Sequence, residues 1–303
     1  MKTYFTEGQW LMLASLGYAI VPQKSFNNKT GHIKKGQKVP VATLFDQLDT
    51  SAAGGECKVE AFKNPQEYEN YLTALESTKK KLKEKNWLVS KSINHNKTNE
   101  SGFVAFAIEP EDNTQKEIIV CCRGSDAMDL NIFSERNTLN DWLFADVALV
   151  LGIPTAQQNE LMAFTADLEE NYNQISFVGH SLGGNLAIFG AIASKNPGCI
   201  GEVNAFDAPG FEHNILELYK DNIEKTTDKI KNFQNEHDLI SSTFKSLGSV
   251  EVIKSAIKKT DFITNHNRWA FAVDKYGDLQ RNASKEKDAA CKGWHVTTNV
   301  LTA

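Results

Sequence analysis

The stretch Ile175–Ser194, which reads ISFVGHSLGGNLAIFGAIAS, decides the fold. Its first four residues are typical of a short buried strand, and the apolar segment Leu182–Ser194 predicts a buried helix. Between the two lies the motif Gly-x-Ser-x-Gly around Ser181. A strand that turns sharply into a helix at this motif is the setting in which a serine nucleophile is presented above a sheet. A glycine-rich turn without catalysis is the weaker interpretation, because the flanking strand and helix fit a nucleophile.

The sequence on both sides of this stretch alternates between strand and helix patterns. A helix capped by Thr155 is predicted to run to about Asn171. Strands are predicted over Trp87–Ile93, Gly102–Ile108, Glu117–Cys122, Gly201–Phe206, Lys229–Gln234 and Val250–Lys254. This alternation predicts an α/β fold with a mostly parallel central sheet and flanking helices.

The N-terminal part of the chain follows another pattern. Thr6 with Gln9 three residues later has the spacing of a capping box, which predicts a first helix. Residues 22–60 are rich in Gly, Lys and Asn and predict an irregular connector, after which Asn64-Pro65 begins a second helix. We therefore divide the chain into residues 1–60, a helix and irregular extension packed on the core, and residues 61–303, the α/β domain.

Composition excludes several classes of protein. The chain has 303 residues, of which 41% are hydrophobic and 23% charged, as in an ordinary globular protein. Its net charge of −5 argues against binding to nucleic acid. No apolar run is long enough for a transmembrane segment, and no conventional export signal is recognised. The five cysteines do not form a disulfide framework, and no cluster has metal-ligand spacing, so we expect neither metal nor organic cofactor.

A serine nucleophile needs a base and an orienting acid, in the chain order Ser, Asp or Glu, His for a strand–turn–helix site. His266 is the best base and Asp238, which follows a predicted strand, is the best acid. Asp207 also follows a predicted strand, but it lies in Asp-Ala-Pro-Gly, where an aspartate has an adequate structural role in a turn. His295, near the end of the sequence, competes with His266 as the base.

An oxyanion formed during acyl transfer needs two hydrogen-bond donors. One is predicted to be the backbone N–H of Leu182, which follows the nucleophile. The other is predicted in the loop Arg123-Gly124-Ser125, where glycine permits close backbone approach and the Ser125 hydroxyl adds a donor. The alternative for this loop is a simple turn.

Taken together, these residues resemble the fungal-type (class 3) lipases. The resemblance is carried by Ile118–Ser125, Asp141-Trp142 with Asp146, Gly179–Gly184, Asn235 with Asp238, and His266. The segments Phe206–Phe211 and Asn265–Trp269 are more similar to a bacterial lipase-like branch of that superfamily. The resemblance implies an α/β-hydrolase fold and hydrolysis of carboxylic esters. By position it assigns the nucleophile to Ser181, the acid to Asp238, the base to His266, and the oxyanion donors to Ser125 and Leu182.

Some bacterial members of that branch are exported toxins, including type VII-secreted lipases that act on membrane lipids. Only 4 of the 33 basic residues are arginine, which suits an AT-rich bacterial genome. The resemblance therefore implies secretion by an unconventional bacterial route, with a cytoplasmic location as the alternative. It also implies an acyl-lipid substrate at a membrane or micelle surface, and a secretion chaperone or immunity protein as partner.

The apolar and charged residues mixed over 126–140 predict an amphipathic lid above Ser181, and a helix packed permanently on the core is the alternative.

The sequence leaves two alternative functions open. One is an acyltransferase or a hydrolase of small esters with the same triad. The other is a hydrolase-like module that binds lipid or protein without catalysis.

Overall fold

The structure is a computed structural model, and it describes residues 4–19, 37–50, 59–95, 101–124, 155–258 and 262–284. Eight strands in these ranges form one sheet, ordered along the sheet as they are along the chain. The strands are β1 (Val39–Pro40), β2 (Trp87–Asn94), β3 (Val104–Pro110), β4 (Glu117–Cys122), β5 (Gln174–His180), β6 (Ile200–Phe206), β7 (Ile230–Asn235) and β8 (Ser249–Ile253).

The sheet has an antiparallel half and a parallel half. Strands β1 to β4 pair antiparallel with their neighbours. Strands β4 to β8 all pair in parallel. Because the carboxyl ends of parallel strands lie at one edge, the loops after β4, β5, β6 and β7 meet there. The predicted α/β fold is confirmed, and its parallel half is the one that carries the Gly-x-Ser-x-Gly motif.

Helices cover both faces of this sheet. They are α1 (Glu7–Leu16), α2 (Val41–Thr50), α3 (Pro65–Glu84), α4 (Ala156–Thr165), α5 (Leu168–Asn171), α6 (Leu182–Ile192), α7 (His213–Leu218), α8 (Lys220–Thr226) and α9 (Phe262–Asn265). Helix α1 packs against β5 and β6, and α6 packs against β5 and β6 as well. The two helices belong to two separate apolar clusters, one on each face. The predicted arrangement of helices around the sheet, with an N-terminal helical extension, is therefore confirmed.

The adjacent thiols of β4 show how the sheet separates the two clusters. Cys121 belongs to the cluster that includes α1, and Cys122 belongs to the cluster that includes α6. Successive side chains of a strand point to opposite faces, which the sequence predicts for this pair. Burial raises the pKa of both thiols, so both stay protonated and act as small apolar side chains.

Helix starts follow the local sequence signals closely. Thr6 and Thr155 cap their helices as predicted, and each forms a capping box with a glutamine three residues on, which the sequence predicts for Thr6. Asn64 caps α3 by accepting a hydrogen bond from the Glu67 N–H, with Pro65 at the first helical position. The helix after Thr155 is interrupted between Thr165 and Leu168, so the prediction of one helix to Asn171 is wrong in that detail.

The predicted irregular connector over residues 22–60 also needs correction. Within it, β1 pairs with β2, and α2 begins directly after β1. Val41, Leu44 and Phe45 of α2 are buried at helical spacing in the cluster that contains α1. A short helix is stabilised mainly by the packing of its apolar face, and α2 packs on α1, α3 and the first two strands. Among the described helices, none combines the length and the apolar character needed to cross a bilayer.

Candidate active site

Ser181 lies at the sharp turn between β5 and α6. Its backbone dihedral angles are φ 59° and ψ −132°, a conformation that is costly for a residue with a side chain. The Ser181 N–H donates to the carbonyl of Phe206 at 2.9 Å, which ties the turn to the end of β6. This is the strained strand–turn–helix geometry that the sequence predicts around the serine.

The two glycines of the motif allow this turn to close. A Cβ at Gly179 would lie 2.1 Å from the carbonyl oxygen of Gly183. A Cβ at Gly183 would lie 2.4 Å from the carbonyl oxygen of Cys122 and 2.7 Å from the amide nitrogen of Gly124. Gly183 therefore lets the start of α6 rest directly against the end of β4, where the Arg123-Gly124-Ser125 loop begins.

Ser181, His266 and Asp238 form a chain of hydrogen bonds. The Ser181 Oγ lies 2.7 Å from His266 Nε2, and His266 Nδ1 lies 2.8 Å from Asp238 Oδ1. A carboxylate can only accept, so Nδ1 carries the imidazole proton and donates it to Asp238. Nε2 is then the acceptor for the Ser181 hydroxyl, which is the arrangement that a general base requires.

Asp238 is held by the turn that follows β7. Its side chain is completely buried. Its carboxylate accepts hydrogen bonds from the backbone N–H groups of Ile240 at 3.2 Å and Ser241 at 2.7 Å, and also from the Ser241 hydroxyl. These donors compensate the carboxylate for its lost hydration and fix the oxygen that faces His266.

The structure places the predicted site residues as follows. Ser181, Asp238 and His266, which are separated by 57 and 28 residues in the sequence, are brought into hydrogen-bonding contact. Leu182 is the first residue of α6, so its N–H is one of those that a helix leaves without an intrahelical acceptor. Ser125, the lid segment 126–140 and the competing base His295 lie outside the described residues, and their roles stay predictions.

Asp207, the other candidate acid, has a different set of contacts. It has φ 45° and is completely buried at the end of β6. Its Oδ1 accepts a hydrogen bond from the Asn235 N–H at 2.7 Å, and the Ser241 hydroxyl lies 3.4 Å from the same oxygen. Asp207 thus joins β6 to the start of the turn that carries Asp238.

His180 lies closer to the base than the sequence suggests. A residue adjacent to the nucleophile is expected to point away, yet the His180 ring centre lies 5.0 Å from that of His266. Burial lowers the pKa of His180 well below its usual value, and the neighbouring His266 and Arg268 lower it further. The neutral imidazole is therefore the stable form at this position.

His180, Asp207 and His266 form a group with ligand-type atoms within 4.8 Å of one another, which spacing along the sequence does not reveal. Both nitrogens of His266 already bond to Ser181 and Asp238. A metal ion would have to break one of those bonds. The group is consequently explained by the hydrogen-bonded site itself.

Two further polar residues support the site: Ser241, which the sequence analysis misses, and Asn235, which it names only as part of the resemblance. Ser241 contacts both aspartates, and the only local signal for it is its position three residues after Asp238. The Asn235 side chain donates to the carbonyl of Ala270 at 2.9 Å and accepts from the His237 N–H at 3.0 Å. Asn235 thereby connects the acid-bearing turn to the segment that follows the base.

Comparison with known proteins identifies the family of the chain. The family model of the Tle-like phospholipase domain, described as phospholipase-like, matches residues 64–264. The chain belongs to this family. This phospholipase-like domain is thus a lipase-type α/β protein, and the prediction of a hydrolase of lipid esters is confirmed at the level of the family. No curated protein matches the chain in sequence.

Several solved lipases are similar to this phospholipase-like chain at low sequence identity. A triacylglycerol lipase described by its serine protease triad has a TM-score of 0.46 and 12% identity, over 90% of this chain and 96% of its own. A mono- and diacylglycerol lipase from Aspergillus oryzae has a TM-score of 0.44 and 14% identity, over 95% of this chain and 93% of its own. The Lip2 lipase from Yarrowia lipolytica has a TM-score of 0.42 and 13% identity, over 82% of this chain and 76% of its own.

The matched segment does not contain the whole hydrogen-bonded site. Ser181 and Asp238 lie inside residues 64–264, and His266 lies two residues beyond them. Helix α1 lies before the segment and still packs on the strand that leads to Ser181.

Proposed function

We propose that this phospholipase-like chain hydrolyses carboxylic esters of acyl lipids, with Ser181, His266 and Asp238 as its catalytic triad. One observation carries the proposal: the unbroken chain of hydrogen bonds from Ser181 through His266 to Asp238, set on a strained turn. Structural serine–histidine contacts do not require a backbone held at such unfavourable angles.

In the proposed reaction, the Ser181 oxygen attacks the ester carbonyl while His266 Nε2 takes the hydroxyl proton. Asp238 holds the imidazole in the required tautomer and stabilises its charged form. The N–H of Leu182, together with Ser125, receives the oxyanion. His266 then gives this proton to the leaving alcohol, and the acyl group stays on Ser181. In the second half of the reaction, His266 takes a proton from water, the water oxygen attacks the acyl-enzyme, and His266 returns the proton to the Ser181 oxygen as the fatty acid leaves.

Phospholipids are the substrate class that the family name favours, with di- and triacylglycerols as the other candidates. Product analysis on a panel of vesicles or emulsions of each lipid would rank them. The acidic chain carries a net charge of −5, so we expect better activity on zwitterionic than on anionic vesicles at low salt. Release of fatty acid, rather than of the phosphorylated head group, would identify the ester as the bond that is cleaved.

We further propose export by an unconventional bacterial route, with an immunity protein as the inhibitory partner. The resemblance to exported lipase toxins and the low arginine content support this proposal. An immunoblot of culture medium and of cells from the producing organism tests it. Retention of the chain in the cells throughout growth would favour the cytoplasmic alternative.

The decisive experiment compares wild type, Ser181→Ala and the control Ser249→Ala, which changes an exposed serine at the start of β8. We expect Ser181→Ala to lose several orders of magnitude in turnover and all labelling by a fluorophosphonate probe, with an unchanged melting temperature. Ser249→Ala should match wild type in all three. Near-native activity of purified Ser181→Ala would overturn the mechanism.

The same samples separate the two alternatives. An acyltransferase would label at Ser181 but would pass the acyl group to an added alcohol in preference to water. A binding module without catalysis would bind vesicles yet would neither label nor release product.

A further inference from the structure

Tyr18 lies directly after α1 and outside the segment 64–264 that the family model matches. Only 8% of its surface is exposed. The guanidinium of Arg268 lies 4.9 Å from the centre of its ring, and that of Arg123 lies 5.7 Å away. One arginine follows the proposed base by two residues and the other precedes Gly124, so the ring lies between two loops of the site.

The Tyr18 hydroxyl reaches the point where the Gly124 loop meets the turn of Ser181. A Cβ on Gly124 would lie 2.8 Å from the Tyr18 hydroxyl, 2.7 Å from the His180 carbonyl oxygen and 3.2 Å from the Ser181 Cβ. The hydroxyl therefore packs directly against the loop that is predicted to bind the oxyanion.

The same hydroxyl lies 3.5 Å from Nδ1 of His180. Burial raises the pKa of the phenol, so the hydroxyl keeps its proton, and the neutral His180 ring is able to accept at Nδ1. His180 in turn contacts the base, since the ring centres of His180 and His266 lie 5.0 Å apart. Tyr18 thus connects, through His180, to the residue that activates Ser181.

We propose that Tyr18 is a positioning residue of the active site, which fixes the Gly124 loop and, acting through the His180 imidazole, the His266 segment around Ser181. This inference rests on the proposed hydrolase function. It gives the N-terminal helix a part in the reaction: α1 delivers a hydroxyl that the matched segment lacks. Since the hydroxyl is bonded within the protein, its loss should alter the alignment of the reacting groups more than the binding of substrate.

The test compares Tyr18→Phe with Tyr219→Phe in the full chain. Both remove one phenol oxygen, and Tyr219 packs on Phe189, which lies seven residues along α6 from the predicted oxyanion donor Leu182. With a soluble short-chain ester, we expect Tyr18→Phe to lower kcat roughly 5- to 50-fold with KM changed less than twofold. Tyr219→Phe should keep both constants. Equal kcat values for the two variants would overturn the proposal.

Two more measurements separate positioning from mere stability. In a double-mutant cycle, Tyr18→Phe should lower kcat less in a His180→Phe background than in wild type, because the part of its effect that acts through His180 is already lost. Fully additive effects would contradict action through His180. Hydrogen exchange of residues 117–124 and 262–272 should be faster in Tyr18→Phe than in Tyr219→Phe, and unchanged exchange would overturn the proposal.

The exchange measurement does not require activity, so it tests the positioning role even if the hydrolase proposal fails. Absence of both turnover and probe labelling in the wild type would refute the hydrolase function. A wild type that is active, beside a Tyr18→Phe variant that equals the control, would refute only the role of Tyr18.

Discussion

The Asp207 carboxylate accepts a hydrogen bond from the backbone N–H of Asn235 at 2.7 Å, across 28 residues of sequence. Asn235 is the last residue of β7, three residues before Asp238. A buried carboxylate at the end of one strand thus fixes the start of the turn that carries the proposed acid. The two aspartates at this edge of the sheet therefore have different roles. Asp207 supports the turn that follows β7, and Asp238 contacts His266.

This division of tasks predicts different results for two matched substitutions. Asp238→Asn should lower turnover by about 10⁴-fold, because an amide that donates to Nδ1 stabilises the wrong tautomer of His266. Asp207→Asn keeps an oxygen that accepts from the Asn235 N–H, so we expect its main effect on stability. Steady-state kinetics and urea unfolding of both variants measure these effects. The reverse ranking of the two activities would refute Asp238 as the acid.

The close approach of α6 to β4 predicts that Gly183→Ala destabilises the protein. The added methyl group would lie 2.4 Å from the Cys122 carbonyl oxygen, so backbone atoms would have to shift. We expect the free energy of unfolding to fall by about 1–3 kcal/mol and the activity to fall with it.

Gly198→Ala is the control, since a Cβ there meets only the Asn196 side-chain oxygen, at 3.3 Å. Urea unfolding and ester hydrolysis are measured on both glycine variants. If Gly183→Ala were as stable as Gly198→Ala, the contact between α6 and β4 would be looser than the structure indicates.

Local sequence signals predict the part of the site around Ser181 well. The apolar strand, the two glycines and the apolar helix all lie within one short stretch, and each restricts the backbone on its own. The chain order of serine, acid and base adds the placement of Asp238 and His266, because loops after successive parallel strands meet at one edge. These features depend on neighbours in sequence or on a general rule of sheet topology.

The contact between Tyr18 and His180, which supports the site, could not be predicted from the sequence. Tyr18 and His180 are separated by 162 residues, and nothing in the sequence near either one indicates the other. Their contact depends on how α1 packs across β5, which is decided by tertiary packing and not by the local sequence. Helix α2 is not predicted for a similar reason, because its buried residues gain their helical conformation from the helices and strands that they pack on.

The burial of His180 predicts that stability depends on pH. Its folded-state pKa lies below the ordinary value of about 6.5, so the unfolded chain binds a proton more readily. The stabilisation is fully present above pH 6.5. As the pH falls below that value, the free energy of unfolding should decrease by up to about 1.4 kcal/mol per pH unit.

Urea unfolding between pH 7.5 and 5.5 measures this dependence in wild type, His180→Asn and His213→Asn. His180→Asn should flatten the curve on its acid side, whatever its stability at neutral pH. His213→Asn, which changes an exposed residue of α7, should leave the slope as in wild type. Parallel curves for wild type and His180→Asn would show that this imidazole is not the group responsible.

The segment 126–140, outside the described residues, is predicted from its sequence to be a lid. It follows the predicted oxyanion loop and mixes apolar residues such as Leu130 and Phe133 with charged ones. If its apolar face covers Ser181 in water and turns toward lipid at a surface, transfer of each large side chain contributes about 1.5–3 kcal/mol to opening. The rate should therefore jump when the substrate concentration passes the micellar threshold. The double variant Leu130→Ser/Phe133→Ser should lose that jump, while Leu218→Ser, at a position that is 65% exposed on α7, should keep it. A smooth saturation curve that is identical in all three proteins would favour a helix packed permanently on the core.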